Sequence, residues 1–427
     1  MSEGTKKTIT PADTLKSESP LVLTARFEPV AGLDRFQPAG FPEVGHVIYK
    51  APRENGSLEQ VCIVDSPASM ANHLESVCMR GAHDFELVDE LAGMPHVRCV
   101  TGKLNDDGKL ADREVVVTSL TEGHRIASSY FIEGERLQGD SPNIIRIRQL
   151  NDEAKKLKGK AKNLNGEEKK KVEKEIKQKE DEAKQIKINA SFQSTLIREF
   201  GIELPGSSKA HPPTEKWWNV FRTIFQYDPN SLVHGVLFPQ WQIKIPRFLT
   251  AHLEAFGASR VDRSGVKFDR LGKTTSGQPI FAVDETTASE IRATFILDLA
   301  LLRSFGRQNG EKELGLTEKQ KEFLVALALW KIDRLVAAPF RFRSGCYLRC
   351  SKVTEGETVP HEPGTQEPKE PKVELQPNIR KSLENAGFPA KPITDVYWPR
   401  EELYREGQEE TVTANNDEDE NDEEADG

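Results

Sequence analysis

Residues 151–188 constrain the fold more than any other part of the chain, because they cannot lie inside a core. Residues 167–187 are almost wholly lysine and glutamate, and Lys155, Lys156, Lys158, Lys160 and Lys162 lead into them. Both halves favour helix, while Asn163-Leu164-Asn165-Gly166 between them favours a turn, so the pattern predicts an exposed helical hairpin. Its apolar residues (Leu157, Leu164, Val172, Ile176, Ile186 and Ile188) are too sparse for a full coiled-coil seam. The hairpin therefore reads as an insertion with a solvated, alternately charged face.

The rest of the body mixes strand-like and helix-like stretches. Leu21-Val22-Leu23 and residues 61–65, 97–101 and 115–117 are short apolar runs that predict strands, and residues 293–302 predict a central one. Residues 191–200, Trp217-Trp218-x-x-Phe221-Arg222-x-x-Phe225 and residues 316–338 carry helical spacing. The last of these opens on the capping-box pattern Thr317-Glu318-Lys319-Gln320 and stops before Pro339. Residues 246–256 also predict a helix, and residues 227–238 a turn feeding a strand, with His234 just before Gly235. Asn105-Asp106-Asp107-Gly108 predicts a turn. After residues 61–65, Ser66 and Pro67 suit the cap and first position of a helix. Such a start, with Ser69 and Asn72 beside it, can hold a phosphate, or it is a plain cap.

Residues 24–45 form a loop rich in glycine and proline at the exit of the first strand. Arg26, Phe27, Arg35, Phe36, Gln37 and Phe41 stand among Gly32, Gly40, Gly45, Pro29, Pro38 and Pro42. Arginines and phenylalanines in such a place suit an RNA backbone, guanidinium on phosphate and ring on base. The competing reading is a proline-rich corner whose phenylalanines anchor it to the core. Residues 340–350 alternate aromatic and basic side chains, as an RNA-facing strand would, and Arg260 lies in a polar, basic stretch over 257–263.

The formal charge of −9 does not argue against a nucleic-acid partner, because eight of the twelve residues 415–426 are acidic and the remainder of the chain is close to neutral. The first residues have no apolar segment of the signal-peptide kind, and no stretch approaches the roughly 20 apolar residues of a membrane span. The expectation is a soluble, cytoplasmic protein with no membrane partner. The five cysteines lack paired spacing and read as core thiols, with no metal or other cofactor implied. Dinucleotide, P-loop, zinc-protease and serine-hydrolase motifs are absent, so nothing demands catalysis.

Four groups of residues, taken in order, resemble a known family. They are Arg35-Phe36-Gln37-Pro38-x-Gly40-Phe41-Pro42; Asp65-Ser66-x-x-Ser69-Met70-Ala71-Asn72-x-Leu74-Glu75; Asp228-Pro229-Asn230-Ser231-Leu232-x-His234-Gly235; and Arg341-x-Arg343-Ser344-Gly345-Cys346-x-Leu348. The chain is similar to the RAMP-superfamily backbone subunit, CRISPR-associated family seven, of type I-U (I-G) CRISPR Cascade surveillance complexes. The resemblance implies an α+β fold: an RRM-like (ferredoxin-like) palm over residues 20–350, with inserted finger and thumb segments; the charged hairpin at 151–188 and the residues after 350 fall outside the resemblance. Residues 1–19 and the acidic tail, 405–427, are expected to be disordered, 354–377 a linker, and 378–404 a short docked element. It implies a subunit that is not an enzyme and that polymerises head-to-tail along CRISPR RNA as a helical ribonucleoprotein filament. With other Cascade subunits it presents the guide to target DNA in antiviral defence. It makes Arg26, Arg35, Gln37, Ser69, Asn72, His234, Arg260, Arg341 and Arg343 candidate RNA contacts, with Phe36 or Phe41 stacking on a base. The alternative is a RAMP-type endoribonuclease acting in CRISPR RNA processing or target RNA cleavage, with His73, His124 and His234 and Asp34 as acid and base.

Overall fold

A computed structural model describes residues 7–41, 45–53, 55–105, 108–139, 142–202, 212–261, 285–356 and 372–403. Seven strands form one antiparallel sheet, in the order Phe340–Arg343, Cys346–Glu355, Leu21–Pro29, Glu290–Leu297, Leu249–Phe256, Leu58–Asp65, Ile48–Pro52. Along the chain, the central strands are Leu21–Pro29, Leu249–Phe256, Glu290–Leu297 and Cys346–Glu355. In the sheet they lie fourth, first, third, second. The fold is α+β.

Alternation writes these strands. In Leu249–Phe256, Leu249, Ala251, Leu253 and Ala255 are buried while Thr250, His252 and Glu254 are half-buried. The helix expected over 246–256 is therefore a strand. Leu249, Leu253 and Phe256 also fit a helical spacing, but the alanines complete a period of two, and both flanks find hydrogen-bonding neighbours. The strand expected over 293–302 runs Glu290–Leu297. It stops where Asp298 accepts the Leu301 N–H at 2.9 Å and caps the helix Leu299–Ser304. The turn expected before residues 236–238 is the helix Pro229–His234, with Pro229 in its first turn.

The helix Glu318–Ala337 is the axis of the core. Its capping box is formed by Thr317 and Gln320. Residues 323–332 are all buried, so this helix is enclosed on every side. It touches the helices Pro11–Lys16, Pro67–Ser76, Pro229–His234 and Ile379–Asn385 and the strand Cys346–Glu355. A second sheet runs Glu114–Thr118, His96–Thr101, Ile393–Tyr397, Glu135–Arg136. Its Ile393–Tyr397 strand lies parallel to His96–Thr101, and Arg98 grips Asp395 through Nε at 2.9 Å and Nη2 at 3.3 Å. Residues 378–404, expected as a short docked element, thus supply an internal strand.

Other boundaries shift too. Within the 1–19 segment expected to be disordered, Lys7–Ile9 pairs with Val373–Leu375 and Pro11–Lys16 is helical, because Ile9 and Thr14 are buried. Of the expected linker at 354–377, residues 357–371 lie outside the described residues, as do Asp106 and Asp107 of the expected turn, residues 1–6 and the tail from 404 on. The hairpin is formed by Ile144–Ala161 and Gly166–Ala190. Its helices meet through small apolar clusters around Leu150 and Ile176 and through pairs such as Lys158–Glu180 at 2.7 Å. Exposed pairs of that kind each contribute well under about 1 kcal/mol, so propensity and the alanine contacts matter more. Among the described residues, no helix is long and apolar enough to cross a membrane.

Candidate nucleic-acid interface

The loop leaving Leu21–Pro29 is stitched down on two sides. Phe36 and Thr286 exchange backbone hydrogen bonds at 2.9 and 2.8 Å. The next N–H, of Gln37, donates to the Gly345 carbonyl at 2.8 Å, and that of Ala39 to the Val64 carbonyl at 2.9 Å. Arg260, in the strand Ser259–Val261, stands opposite Thr286 of Glu285–Thr287. Phe36 and Arg260 thereby flank Thr286 from its two sides, while Arg35, one residue before Phe36, turns to Glu285. Arg35 is 45% exposed; its Nε donates to Glu285 at 2.9 Å and its Nη1 to Asp34 at 3.0 Å. The hydrogen bond to Glu285, then that to Asp34, raises its pKa above the ordinary arginine value, so it stays cationic. Phe36 is 1% exposed and fills the core instead of offering a base-stacking face. Burying the ring removes a large apolar area from water, which a loop position on solvent would forgo. The Phe41 side chain lies outside the described residues.

Beside this edge a buried carboxylate gathers the second group. Asp65, at the end of Leu58–Asp65, meets His73 Nε2 at 2.9 Å and Arg343 Nη2 at 2.8 Å. Burial alone raises the Asp65 pKa, but the His73 hydrogen bond and the Arg343 charge outweigh it, and the carboxyl sits below its usual range. Arg343 Nη1 also donates to the Val64 carbonyl at 2.8 Å and the Gln37 carbonyl at 3.5 Å. Arg343 is therefore a clamp that positions the loop, not an open phosphate contact. His73 also reaches Ser69 Oγ at 3.3 Å, and its ring packs edge-on against Phe340 and Phe342. Ser66 accepts the Ser69 N–H at 3.2 Å and caps Pro67–Ser76, so the plain-cap reading accounts for this helix start. Asn72 and Arg341 are exposed, and Arg341 Nη2 donates to Ser344 Oγ at 3.0 Å.

Gly345 makes the close approach of hairpin and loop feasible. Its φ is +76°, and a Cβ there would stand 2.8 Å from Gln37 Oε1. Gly345→Ala is expected to destabilise the fold by about 1–2 kcal/mol, read as a lower urea midpoint.

Two predicted contacts lie elsewhere. Arg26 sits on the sheet, with Nε 3.3 Å from Glu290. His234 is 1% exposed, with Nε2 2.9 Å from Lys331 Nζ; burial, then the Lys331 charge, pushes its pKa well below the ordinary histidine value. Buried and neutral, it is part of the interior and touches no ligand surface. Sequence reasoning took His234 of the Asp228–Gly235 group as an RNA contact, and in the structure the group is part of a buried polar network. Arg125 donates to Glu75 through Nε at 2.7 Å and Nη2 at 2.9 Å, Asn230 donates to Glu75 at 2.6 Å, and Lys331 donates to Asn230. Arg125 and Lys331 were not legible as its partners, since one reads as a surface arginine and the other as a helix-face lysine.

Asp228 belongs to the same interior, with Ser231 Oγ donating to its Oδ2 at 2.6 Å. Burial is the main cause that pushes its pKa from 3.8 up to about 7. The unfolded chain then ionises this carboxyl at lower pH than the folded one. Stability from this group is full below the unfolded pKa and falls as pH rises toward 7, by about 1.4 kcal/mol per unit within that window. Asp228→Asn is expected to flatten that slope in urea titrations run from pH 4 to 8.

The acid–base set of the endoribonuclease alternative is not assembled. Asp34 pairs with Arg35, His73 with Asp65, exposed His124 with Glu122, and His234 with Lys331. A family model described as CRISPR-associated protein GSU0053 matches residues 21–260. No curated protein matches the chain.

Proposed function

The chain belongs to the CRISPR-associated protein GSU0053 family, which gives it a role in CRISPR defence, and we propose that it is the CRISPR RNA-binding backbone subunit of a type I Cascade complex. In this reading it is a RAMP-superfamily, family-seven subunit of the I-U (I-G) kind. What carries the proposal is that Arg35 and Arg260, both exposed, come from distant segments that border the same strand, Glu285–Thr287. The order of the four central strands supports an RRM-like palm beneath that edge. Carboxylate partners do not disqualify Arg35. An exposed ion pair is worth about 0–1 kcal/mol, so a phosphate can replace Glu285 or Asp34.

Among the described residues the edge offers cations and no set of side chains suited to reading base edges, so the protein grips backbone and shape while guide pairing reads sequence. Copies arrange head-to-tail on the guide, other Cascade subunits complete the complex, and target DNA is met through the guide. No catalytic step is assigned. Light-scattering mass measured after adding RNAs of increasing length tests this reading. Mass rising in protomer-sized steps with RNA length supports it. A constant monomer mass contradicts it.

A further inference from the structure

Two open clefts meet at Arg136, and neither shares a residue with the Arg35 edge. The larger, about 570 Å³, lies between the helix Trp217–Tyr227 and residues 387–394; Arg136, Arg222, Tyr227, Glu199 and Lys391 line it. The second, about 480 Å³, continues past Arg136 to Arg198, Glu135 and Asn143. Each is of the size that accommodates a ligand fragment, and Arg136 lines both.

The charge along the path is uneven. Arg136, Arg198, Arg222 and Lys391 face two carboxylates, Glu135 and Glu199. Arg198 and Lys391 are exposed and form no ion pair among the described residues. Arg222 is held by carbonyls, its Nε donating to Gly315 at 2.9 Å and its Nη2 to Glu313 at 2.7 Å. That fixes the guanidinium without neutralising it. Glu199 is occupied on its side by the Tyr227 hydroxyl at 2.8 Å and by Arg136 at 3.7 Å.

The path also lacks a platform for bases. Among the described residues, Tyr227 is the only aromatic one lining either cleft, and the Arg136 guanidinium lies over its ring at 5.2 Å. With four cations lining the two clefts and no free ring to stack on, the ligand chemistry is phosphate without base recognition. We propose that the two clefts form a track for the phosphodiester backbone of a single nucleic-acid strand, separate from the guide interface and indifferent to sequence. The clefts carry this whether or not the chain binds guide RNA.

The test uses full-length protein stripped of nucleic acid, with labelled oligo-thymidine and oligo-uridine followed by fluorescence anisotropy over a range of salt. In Arg198→Glu/Lys391→Glu, both positions are exposed, and a thermal melt confirms that the variant is folded. Affinity is expected to fall about tenfold, and the log–log salt slope to become shallower by about 1.4, two phosphate contacts at about 0.7 each. Loss for thymidine alone assigns the track to DNA, and loss for uridine alone to RNA; both support it. Unchanged affinity and slope with both polymers overturn it, as does full competition by inorganic triphosphate at micromolar concentration, which would mark a small-nucleotide pocket. Sequencing the RNA that co-purifies with the same variant reads the guide interface independently: retained guide RNA with weakened oligomer binding separates the two surfaces. Guide RNA missing from the wild type as well counts against the guide interface alone.

Discussion

Glu75→Ala is expected to cost the fold about 3–5 kcal/mol, the penalty of leaving buried charge without its partner. Glu75 is 2% exposed and accepts two hydrogen bonds from Arg125 and one from Asn230, while Lys331, with no exposed surface, is linked to it through Asn230. Removing the carboxylate strands two cations in a low-dielectric interior. Burial already drives the Lys331 pKa below its ordinary value, with Glu75 among the charges that hold it up. The network joins the helices Pro67–Ser76, Pro229–His234 and Glu318–Ala337, so its loss is felt across the core. Against a typical total stability of about 5–15 kcal/mol, a loss of this size is plainly visible in urea denaturation. Glu75→Gln is expected to remain clearly destabilised, because an amide keeps the shape without the charge. A loss below about 1 kcal/mol for both variants would show that the cations are not held by this carboxylate.

The second large effect is on RNA. Arg35→Glu/Arg260→Glu is expected to weaken binding of repeat-derived RNA by about 100-fold at moderate salt, through two lost phosphate contacts and two new repulsions. Arg35 is exposed and bonded to the Glu285 and Asp34 side chains, and Arg260 is exposed on a two-stranded pair, so the reversal leaves the core intact. Filter binding at several salt concentrations separates charge from fold: the variant should show a shallower salt slope at an unchanged urea midpoint. Arg343→Ala should behave differently, lowering stability as well as binding, because its guanidinium holds Asp65 and the Val64 carbonyl. Unaltered affinity in the Arg35/Arg260 variant would remove this edge from the interface.

Much of the fold was legible where one physical signal dominated. The 151–188 run could only be exposed helix, and the Thr317 capping box marked its helix start. Signals failed where two periods coexist. Leu249, Leu253 and Phe256 satisfy a helix as well as a strand, and only pairing with Glu290–Leu297 and Leu58–Asp65 decides between them. The parallel partnership of Ile393–Tyr397 with His96–Thr101 joins residues far apart in sequence and has no local signature.

The site was half legible for a similar reason. Residue type locates arginines in loops but not their partners. Arg35 and Arg260 remain surface cations, whereas Arg343 is consumed by Asp65. Phe36 stands beside the exposed Arg35 and His234 within a wholly buried motif, and both are enclosed by chain from other regions, Thr286 and Lys331 respectively. The ordered motifs marked what the fold must keep, and part of that is interior architecture.

The central claim is that this chain coats CRISPR RNA. Purifying it from cells that carry its CRISPR array, separating it by size exclusion and sequencing any bound nucleic acid tests that directly. The account predicts repeat-derived RNA of uniform length in a high-mass peak. A monomer free of RNA would contradict it.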